Sequence, residues 1–375
     1  MPATSSLRET AEASAEMALS NIEPRVEHLR RIIGPKKVDA FLISNIKNIR
    51  YLTGFTGSSA FALVTKDRAF FFTDFRYKEQ AECEVRDFER ALEKGKRVPL
   101  IRTLVKKMGI KRLGFESSLS FDLYDQLRKI SVSLIPLNDV VERLRMVKEQ
   151  GELESIKEAI RRAEKAFVST KPWIRPGITE RAVALRLEDE LKKRGCRSIP
   201  FDIIIASGKH SSMPHAGQTE KKIEKGDFVI IDWGGEADGY YSDMTRTLLM
   251  RGSDMARKRE IYNIVNRARQ KAISEVGEGR QSFEVDAAAR SLIKDSGYGE
   301  FFGHGTGHGI GLDVHEGPRI SWAVHEPLAS GMVFSIEPGI YMPGLGGVRI
   351  EDLVLVDGEE GRTLTTLSRK LEIIK

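Results

Sequence analysis

An α/β domain followed by an α+β domain is the fold class that this sequence predicts, and three observations predict it. Short apolar runs of strand length, VDAFLIS, AFALVT and RAFFFT, mix with helical segments as far as about Pro136. Beyond them an amphipathic stretch, GELESIKEAIRRAEKAFVST, opens a region in which the order helix, helix, strands occurs twice. The 375 residues are 41% hydrophobic and 30% charged, enough apolar material for two domain cores and too much for a disordered chain.

Residues 1–24, rich in Ala, Ser, Glu and Thr, read as an N-terminal arm, loosely helical or frayed. Residues 25–140 read as the α/β domain. It holds the strand VDAFLIS, a hairpin of AFALVT and RAFFFT turning at Lys66-Asp67, a helix near Ile101 to Met108, and the strand RLGFE. Leu137 to Gln150 is charged and helical, and residues 141–375 form the second domain. There a helix from Glu149 to Thr170 is broken by Trp173-Ile174-Arg175-Pro176-Gly177. Thr179 caps the next helix, which runs to Arg194 and stops at Gly195. Strands FDIIIAS, FVIIDWGG and YYSDMTRTLLM follow. The order repeats with a helix from about Asp254 to Val276, a helix from about Ser282 to Asp295 that stops at Gly297, and strands around GMVFSIEPG and VRIEDLVLV. Two helix–helix–sheet halves sharing one sheet, related by a pseudo-two-fold, bring both sets of strand residues to a common centre.

Charge and cysteine usage narrow the function classes. Lys+Arg 60 against Asp+Glu 54 gives a net charge of +6 with no long basic block, so nucleic acid is not expected as a partner. Cys83 and Cys196 stand far apart, which removes a disulfide framework and a CxxC motif. The polar N-terminus lacks an apolar h-region and no apolar run reaches membrane-spanning length, so no membrane partner and a cytoplasmic location are expected.

Six of the seven histidines lie between His210 and His325, which directs attention to the second domain. In FVIIDWGGEADGYYSDMTRT, Asp232 ends an apolar strand and Asp243 sits in the next one, a hairpin that can set the carboxylates side by side; alternatively Asp232 starts a turn and Asp243 pairs with Arg246. In FFGHGTGHGIGLDVHEGP, His304, His308 and His315 stand among five glycines, which lets backbone and rings crowd close to something bound; the alternative is a flexible turn with incidental histidines. The string fits no G-x-G-x-x-G register and no GxxxxGK[ST] occurs, which disfavours dinucleotide and P-loop readings.

Glu337 ends an apolar strand before Pro338-Gly339, and Glu351 is embedded in the strand pattern VRIEDLVLV. A carboxylate in such a strand is costly unless paired or metal-bound, and Arg349 and Arg369 are the alternative partners. Two carboxylates about 4 Å apart repel by about 4 kcal/mol at an effective dielectric of about 20, so four converging ones require protons or cations. Two divalent ions would match Asp232, Asp243, Glu337 and Glu351, with His308 offering a nitrogen. Oxygen donors with one imidazole and no thiolate favour manganese, with iron, cobalt and zinc also compatible.

Taken in order, Asp232, Asp243, His308, Glu337 and Glu351, inside DWGG, SDMTRT, GTGHGIG, SIEPG and RIED, this set resembles the five-ligand pattern of the pita-bread metallopeptidases, the family of aminopeptidase P, prolidase and methionine aminopeptidase. The likeness covers about residues 150 to 375. Upstream, NIRYLTGFTGSSAFALV and TDFRY resemble the N-terminal domain of creatinase, aminopeptidase P and prolidase.

The resemblance implies a pita-bread catalytic domain in which Asp243 and Glu351 bridge two metals, Asp232 holds one of them, and His308 with Glu337 completes the other. It implies that a metal-bridging hydroxide attacks the peptide, that Glu337 relays its proton, and that His215, His304 and His315 contact the substrate and the tetrahedral intermediate. Arg349, on the same strand face as Glu351, would orient Asp232 or the substrate; its alternative is a surface salt bridge. His210 and Trp233 depart from the family pattern without removing a ligand, and His28 and His325 read as structural or solvated. The implied activity is that of an Xaa-Pro aminopeptidase acting on peptides with proline second, as a homodimer. Prolidase, which splits only Xaa-Pro dipeptides, is the alternative, and a non-catalytic pita-bread binding module is a third reading.

Overall fold

The computed structural model describes residues 22–93 and 97–375, and the chain forms two compact units, one running to Arg145 and the other from Met146 to Lys375. Of the arm expected over residues 1–24, positions 1–21 lie outside the described residues; positions 22–24 belong to α1 (Ile22–Ile33).

The first unit is organised on one six-stranded sheet. β1 (Ala40–Ile43) is buried at every position, and Asn45 caps the following α2 (Ile46–Thr53) by accepting from Lys47 N at 2.9 Å. β2 (Ala60–Thr65) and β3 (Ala69–Thr73) form the expected hairpin, closed across Lys66-Asp67 by Thr65 N donating to Arg68 O at 2.8 Å. α3 (Lys78–Glu84), β4 (Glu89–Leu92), α4 (Arg97–Lys107), β5 (Arg112–Glu116), α5 (Phe121–Leu127), β6 (Ser133–Leu137) and α6 (Val140–Met146) complete it, in the sheet order β4-β3-β2-β1-β5-β6. The parallel pairs β1–β5, β3–β4 and β5–β6 are each joined by connections that contain a helix. Leu42, Phe61, Leu63, Phe70 and Phe72 bury the sheet face against Val98, Ile101 and Val105.

The charged stretch Leu137–Gln150 is not one helix. α6 ends at Met146, Val147 forms an isolated antiparallel bridge with Met332, and Glu149 starts the next helix through a capping box with Glu152. Both acids satisfy backbone N–H groups at a helix start, which a continuous helix would leave no role for.

The second unit shows the two helix–helix–sheet halves. The first half has α7 (Gln150–Thr170) and α8 (Glu180–Lys193), capped by Thr179 accepting from Ala182 N at 3.1 Å. β7 (Ile204–Ser207), β8 (Phe228–Trp233), the hairpin β9 (Glu236–Ala237) with β10 (Tyr240–Tyr241), and β11 (Met244–Met250) follow. In the second half α9 (Met255–Ile273) and α10 (Ser282–Asp295) precede β12 (Gly307–Gly309), β13 (Glu316–Ile320) and β14 (Val333–Ile336). The hairpin β15 (Gly339–Met342) with β16 (Gly346–Arg349) comes next, then β17 (Asp352–Asp357), β18 (Glu360–Thr363) and β19 (Ile373–Ile374).

The halves do not share a single hydrogen-bonded sheet as expected. Their ladders form a four-stranded sheet, β19-β11-β8-β7, and a five-stranded sheet, β13-β12-β14-β17-β18. The sheets meet where Glu351 N donates to Thr245 O at 3.1 Å and Thr247 Oγ1 donates to Arg349 O at 2.8 Å, so a hydroxyl replaces a ladder bond at the seam. Apolar clusters back each half, Ile156, Ile160, Leu187 and Val229 in one and Ile261, Val265, Val285 and Phe334 in the other. Among the described residues no helix is long and apolar enough to cross a membrane.

Candidate metal centre

The pseudo-two-fold decides where the carboxylates stand. In the first half Asp232 lies near the end of β8 and Asp243 immediately before β11, with the β9–β10 hairpin between them. In the second, Glu337 follows β14 and Glu351 immediately precedes β17, with the β15–β16 hairpin between. Asp243 and Glu351 are therefore not inside strands, as the sequence pattern implied. Each occupies the break where the chain leaves a hairpin and enters a different sheet. Asp232 pairs with Thr245, so Asp243, two positions earlier, shares that face.

Asp243, His308 and Glu351 bring one ligand atom each to within 4.8 Å of one another. His308 Nε2 is 3.6 Å from Asp243 Oδ2 and 3.4 Å from Glu337 Oε1. Its Nδ1 lies 3.1 Å from Gly309 O; donation there leaves Nε2 with its lone pair toward the acids, the tautomer a metal ligand needs. Asp232 is engaged otherwise, accepting from Arg349 Nη2 at 2.6 Å, and Glu337 Oε1 accepts from Ser335 Oγ at 3.2 Å.

Unpaired charge is the electrostatic signature of the centre. Asp243 Oδ1 and Glu351 Oε1 are buried with no hydrogen-bond partner. Burial, then the neighbouring Glu351, Asp232 and Glu337, pushes the Asp243 carboxyl well above its ordinary range; burial, then Glu337 and Asp232, does the same to Glu351. Burial also raises Glu337. Orphaned, mutually repelling oxygens beside an imidazole lone pair fit divalent cations by donor type and by charge.

The glycines around His308 serve the protein more than a ligand. A Cβ at Gly307 would lie 1.8 Å from Ser335 O, and one at Gly309 1.9 Å from Gly317 O. The neighbouring backbones press on β12 from both sides, and only glycine lets them close on the histidine's strand.

Arg349 is 3% exposed, so it is not a surface salt bridge. It donates to Asp232, to Thr245 Oγ1 at 3.1 Å, to Pro214 O at 3.1 Å and to Tyr341 Oη at 2.9 Å. Tyr341 Oη also lies 2.9 Å from His304 Nε2, while His304 Nδ1 is 2.7 Å from Gly305 O. Burial lowers the pKa of His304 and pushes Tyr341 up to about 12, so a neutral ring accepting from the phenol is the consistent arrangement. His215 and His315 are exposed, and the His315 ring centroid is 4.1 Å from that of His308. Burial, then His308, pushes His315 down to about 4.

The other partners considered go elsewhere. Arg246 donates to Asp352 Oδ1 at 2.8 Å and to Glu351 O at 2.6 Å, never to Asp243, and Arg369 also goes to Asp352. Trp233 is buried, donating to Ala163 O at 3.0 Å and stacking on Phe167 at 4.6 Å; His210 binds Glu180 at 2.9 Å. His28 and His325 are exposed, and His325 lies against Phe283.

Sequence reading missed three residues. Tyr341 links Arg349 to His304, Thr245 Oγ1 donates to Glu351 Oε2 at 2.8 Å, and Arg319 stands exposed on β13 opposite His308. Paired residues on antiparallel strands point to one face, so Arg319 leaves the sheet on the same side as His308, and its charge bears on both His308 and His315. No motif marks Tyr341, and Thr245 stands inside SDMTRT, a string read only for Asp243 and Arg246; an arginine four residues past His315 was a further signal.

Comparison with known proteins gives the family of each part of the chain. Residues 154–358 match the family described as metallopeptidase family M24, and residues 25–147 match the creatinase/prolidase N-terminal domain. An Xaa-Pro dipeptidase of Pyrococcus horikoshii is 36% identical over 92% of this chain and 98% of its own. The solved Xaa-Pro dipeptidase from Bacillus anthracis superposes with a TM-score of 0.92 at 40% identity, covering 94% of this chain and 100% of that one. The X-Pro aminopeptidase from Thermotoga maritima gives 0.83 at 38% identity, covering 93% and 99%.

Proposed function

The chain belongs to metallopeptidase family M24, hydrolases acting on peptide bonds, and on that footing we propose that it cleaves the bond between an N-terminal residue and a following proline, with the Xaa-Pro dipeptide as substrate. The observation that carries the reading is the set of buried, unpaired oxygens of Asp243 and Glu351 beside His308, with the exposed Arg319 paired to His308 across the neighbouring strand. A dipeptide differs from a longer peptide in having a carboxylate directly on its proline, and a guanidinium is the group that receives one.

In this reading Asp232, Asp243, His308, Glu337 and Glu351 hold two divalent cations, manganese by preference. Such ions supply Lewis acidity toward the scissile carbonyl and bring a water's pKa near neutral. Glu337, within reach of both the centre and the substrate in this reading, takes a proton from the attacking water and delivers it to the proline nitrogen, which leaves as a secondary amine. His215 and His315 donate to the oxygen on which negative charge develops. Arg349 keeps Asp232 oriented and, through Tyr341, holds His304 in one tautomer.

Also proposed are a creatinase-like N-terminal domain over residues 25–140 followed by the catalytic domain over 141–375, a homodimer, and a cytoplasmic location. The Xaa-Pro aminopeptidase activity first expected is the second reading, favoured by the likeness to the Thermotoga maritima protein. Hydrolysis of an Xaa-Pro dipeptide and of the same sequence extended by two residues, with manganese present and products separated by mass, tests both. Cleavage of the dipeptide alone supports the proposal. First-bond cleavage of the longer peptide replaces it with the aminopeptidase, and cleavage of neither leaves the non-catalytic reading.

A further inference from the structure

Each half of the catalytic unit sends one fully buried acid from its second helix to the segment that delivers a histidine to the site. In the first half it is Glu180, at the start of α8 and 0% exposed. Its Oε1 accepts from Ser207 N at 2.7 Å and Ser207 Oγ at 2.9 Å, and its Oε2 from Thr219 Oγ1 at 2.7 Å and Thr219 N at 3.2 Å. His210 Nδ1 lies 3.0 and 2.9 Å from the two oxygens. One carboxylate thus ties both ends of the loop from Ser207 to Thr219. That loop carries Pro214, whose carbonyl Arg349 grips, and His215.

In the second half it is Asp286, on α10 and 0% exposed. Its Oδ1 accepts from Thr306 Oγ1 at 2.8 Å and Thr306 N at 3.1 Å. Both oxygens also take Arg290, which in turn donates to Phe302 O at 3.0 Å and His304 O at 2.7 Å. The acid and its arginine fix the segment from Phe302 to Thr306 on either side of the His304 ring.

We propose that Glu180 and Asp286, one in each half, are positioning residues that set the places of His215 and His304 respectively. A buried carboxylate receiving several backbone and hydroxyl donors holds a loop in one geometry, because every departure strands a buried charge. The inference rests on the reading of the site as a peptidase for its catalytic consequence, but not for its geometry.

The test separates the two. In metal-free protein with ¹⁵N-labelled histidines, ring signals are assigned through His215→Asn and His304→Asn. Glu180→Gln is expected to shift or broaden the His215 signal and leave His304 in place; Asp286→Asn is expected to do the reverse. In manganese-loaded protein each is expected to lower kcat/KM by about 10–100-fold with metal content unchanged. Thr219→Val and Thr306→Val, which remove one donor and keep the acid, give the same selectivity more weakly and serve if the acid variants do not fold. Ring signals that stay put in the cognate variant, or that move equally in both, overturn the proposal. A wild-type protein that hydrolyses no Xaa-Pro peptide overturns the peptidase reading and leaves the ring signals to decide the positioning.

Discussion

Thr245 Oγ1 donates to Glu351 Oε2 at 2.8 Å across the seam between the two sheets, and Glu351 Oε1 beside it has no hydrogen-bond partner. One oxygen of the acid is anchored by the fold and the other is left for a cation. Substituting Glu351→Gln or Asp243→Asn therefore removes a buried repulsion from the metal-free protein while removing the ligand. The expected outcome is loss of hydrolysis and of stoichiometric manganese binding, with metal-free stability raised by about 1–2 kcal/mol. Denaturant melts with metal analysis check it; retained turnover in either variant sinks the dinuclear mechanism.

The same acids make stability depend on pH in a defined direction. The carboxyls of Asp243, Glu351 and Glu337 are raised, so the metal-free fold binds their protons more tightly than the unfolded chain does. That contribution is complete below the ordinary carboxylate range and is lost as pH rises through the raised values. A divalent cation replaces the protons. The melting-temperature gain on adding manganese should therefore be small near pH 5 and grow toward pH 8, read by differential scanning fluorimetry at matched ionic strength. A gain independent of pH would mean that the cation binds elsewhere.

Arg319 carries the dipeptide preference in our reading. Arg319→Ala should raise KM for an Xaa-Pro dipeptide by about 10–100-fold, the worth of a charge-assisted pair of roughly 1.5–3 kcal/mol, and leave kcat nearly unchanged. The dipeptide amide, which lacks the carboxylate, should bind wild type and variant alike. Equal effects on both substrates would assign Arg319 to general electrostatics.

Tyr341 Oη joins Arg349 to His304. Tyr341→Phe leaves a buried guanidinium N–H and an imidazole nitrogen without that partner, at a cost of about 1–3 kcal/mol to stability. Because both groups border the reacting atoms, kcat should fall by roughly tenfold while bound metal is unchanged. A variant with normal kcat would limit the tyrosine to packing.

Much of the fold was legible because local chemistry marks element ends. Thr179, Gly195 and Gly297 bound their helices where expected, through a side-chain cap or a left-handed glycine, the helix from Ser282 starts behind a capping box of Gln281 with Glu284, and Lys66-Asp67 turns its hairpin. The five groups proposed as ligands stood out for a different reason: a carboxylate at an apolar strand end is costly, and the order of the four acids with His308 resembles the family's pattern.

What the sequence by itself determined, then, is the run of elements, which depends on residue type at short range, together with the residues proposed as ligands. Only the tertiary structure decided that Asp243 and Glu351 sit in breaks between strands, that Arg349 is buried on Asp232, that Tyr341 and Thr245 bond groups of the centre, and that Arg319 pairs with His308. Those relationships join residues from different strands and hairpins, such as Arg349 with Pro214 and Thr245 with Glu351. No local periodicity carries such a pairing, because it comes into being only when two sheets close on each other and each buried donor must find an acceptor.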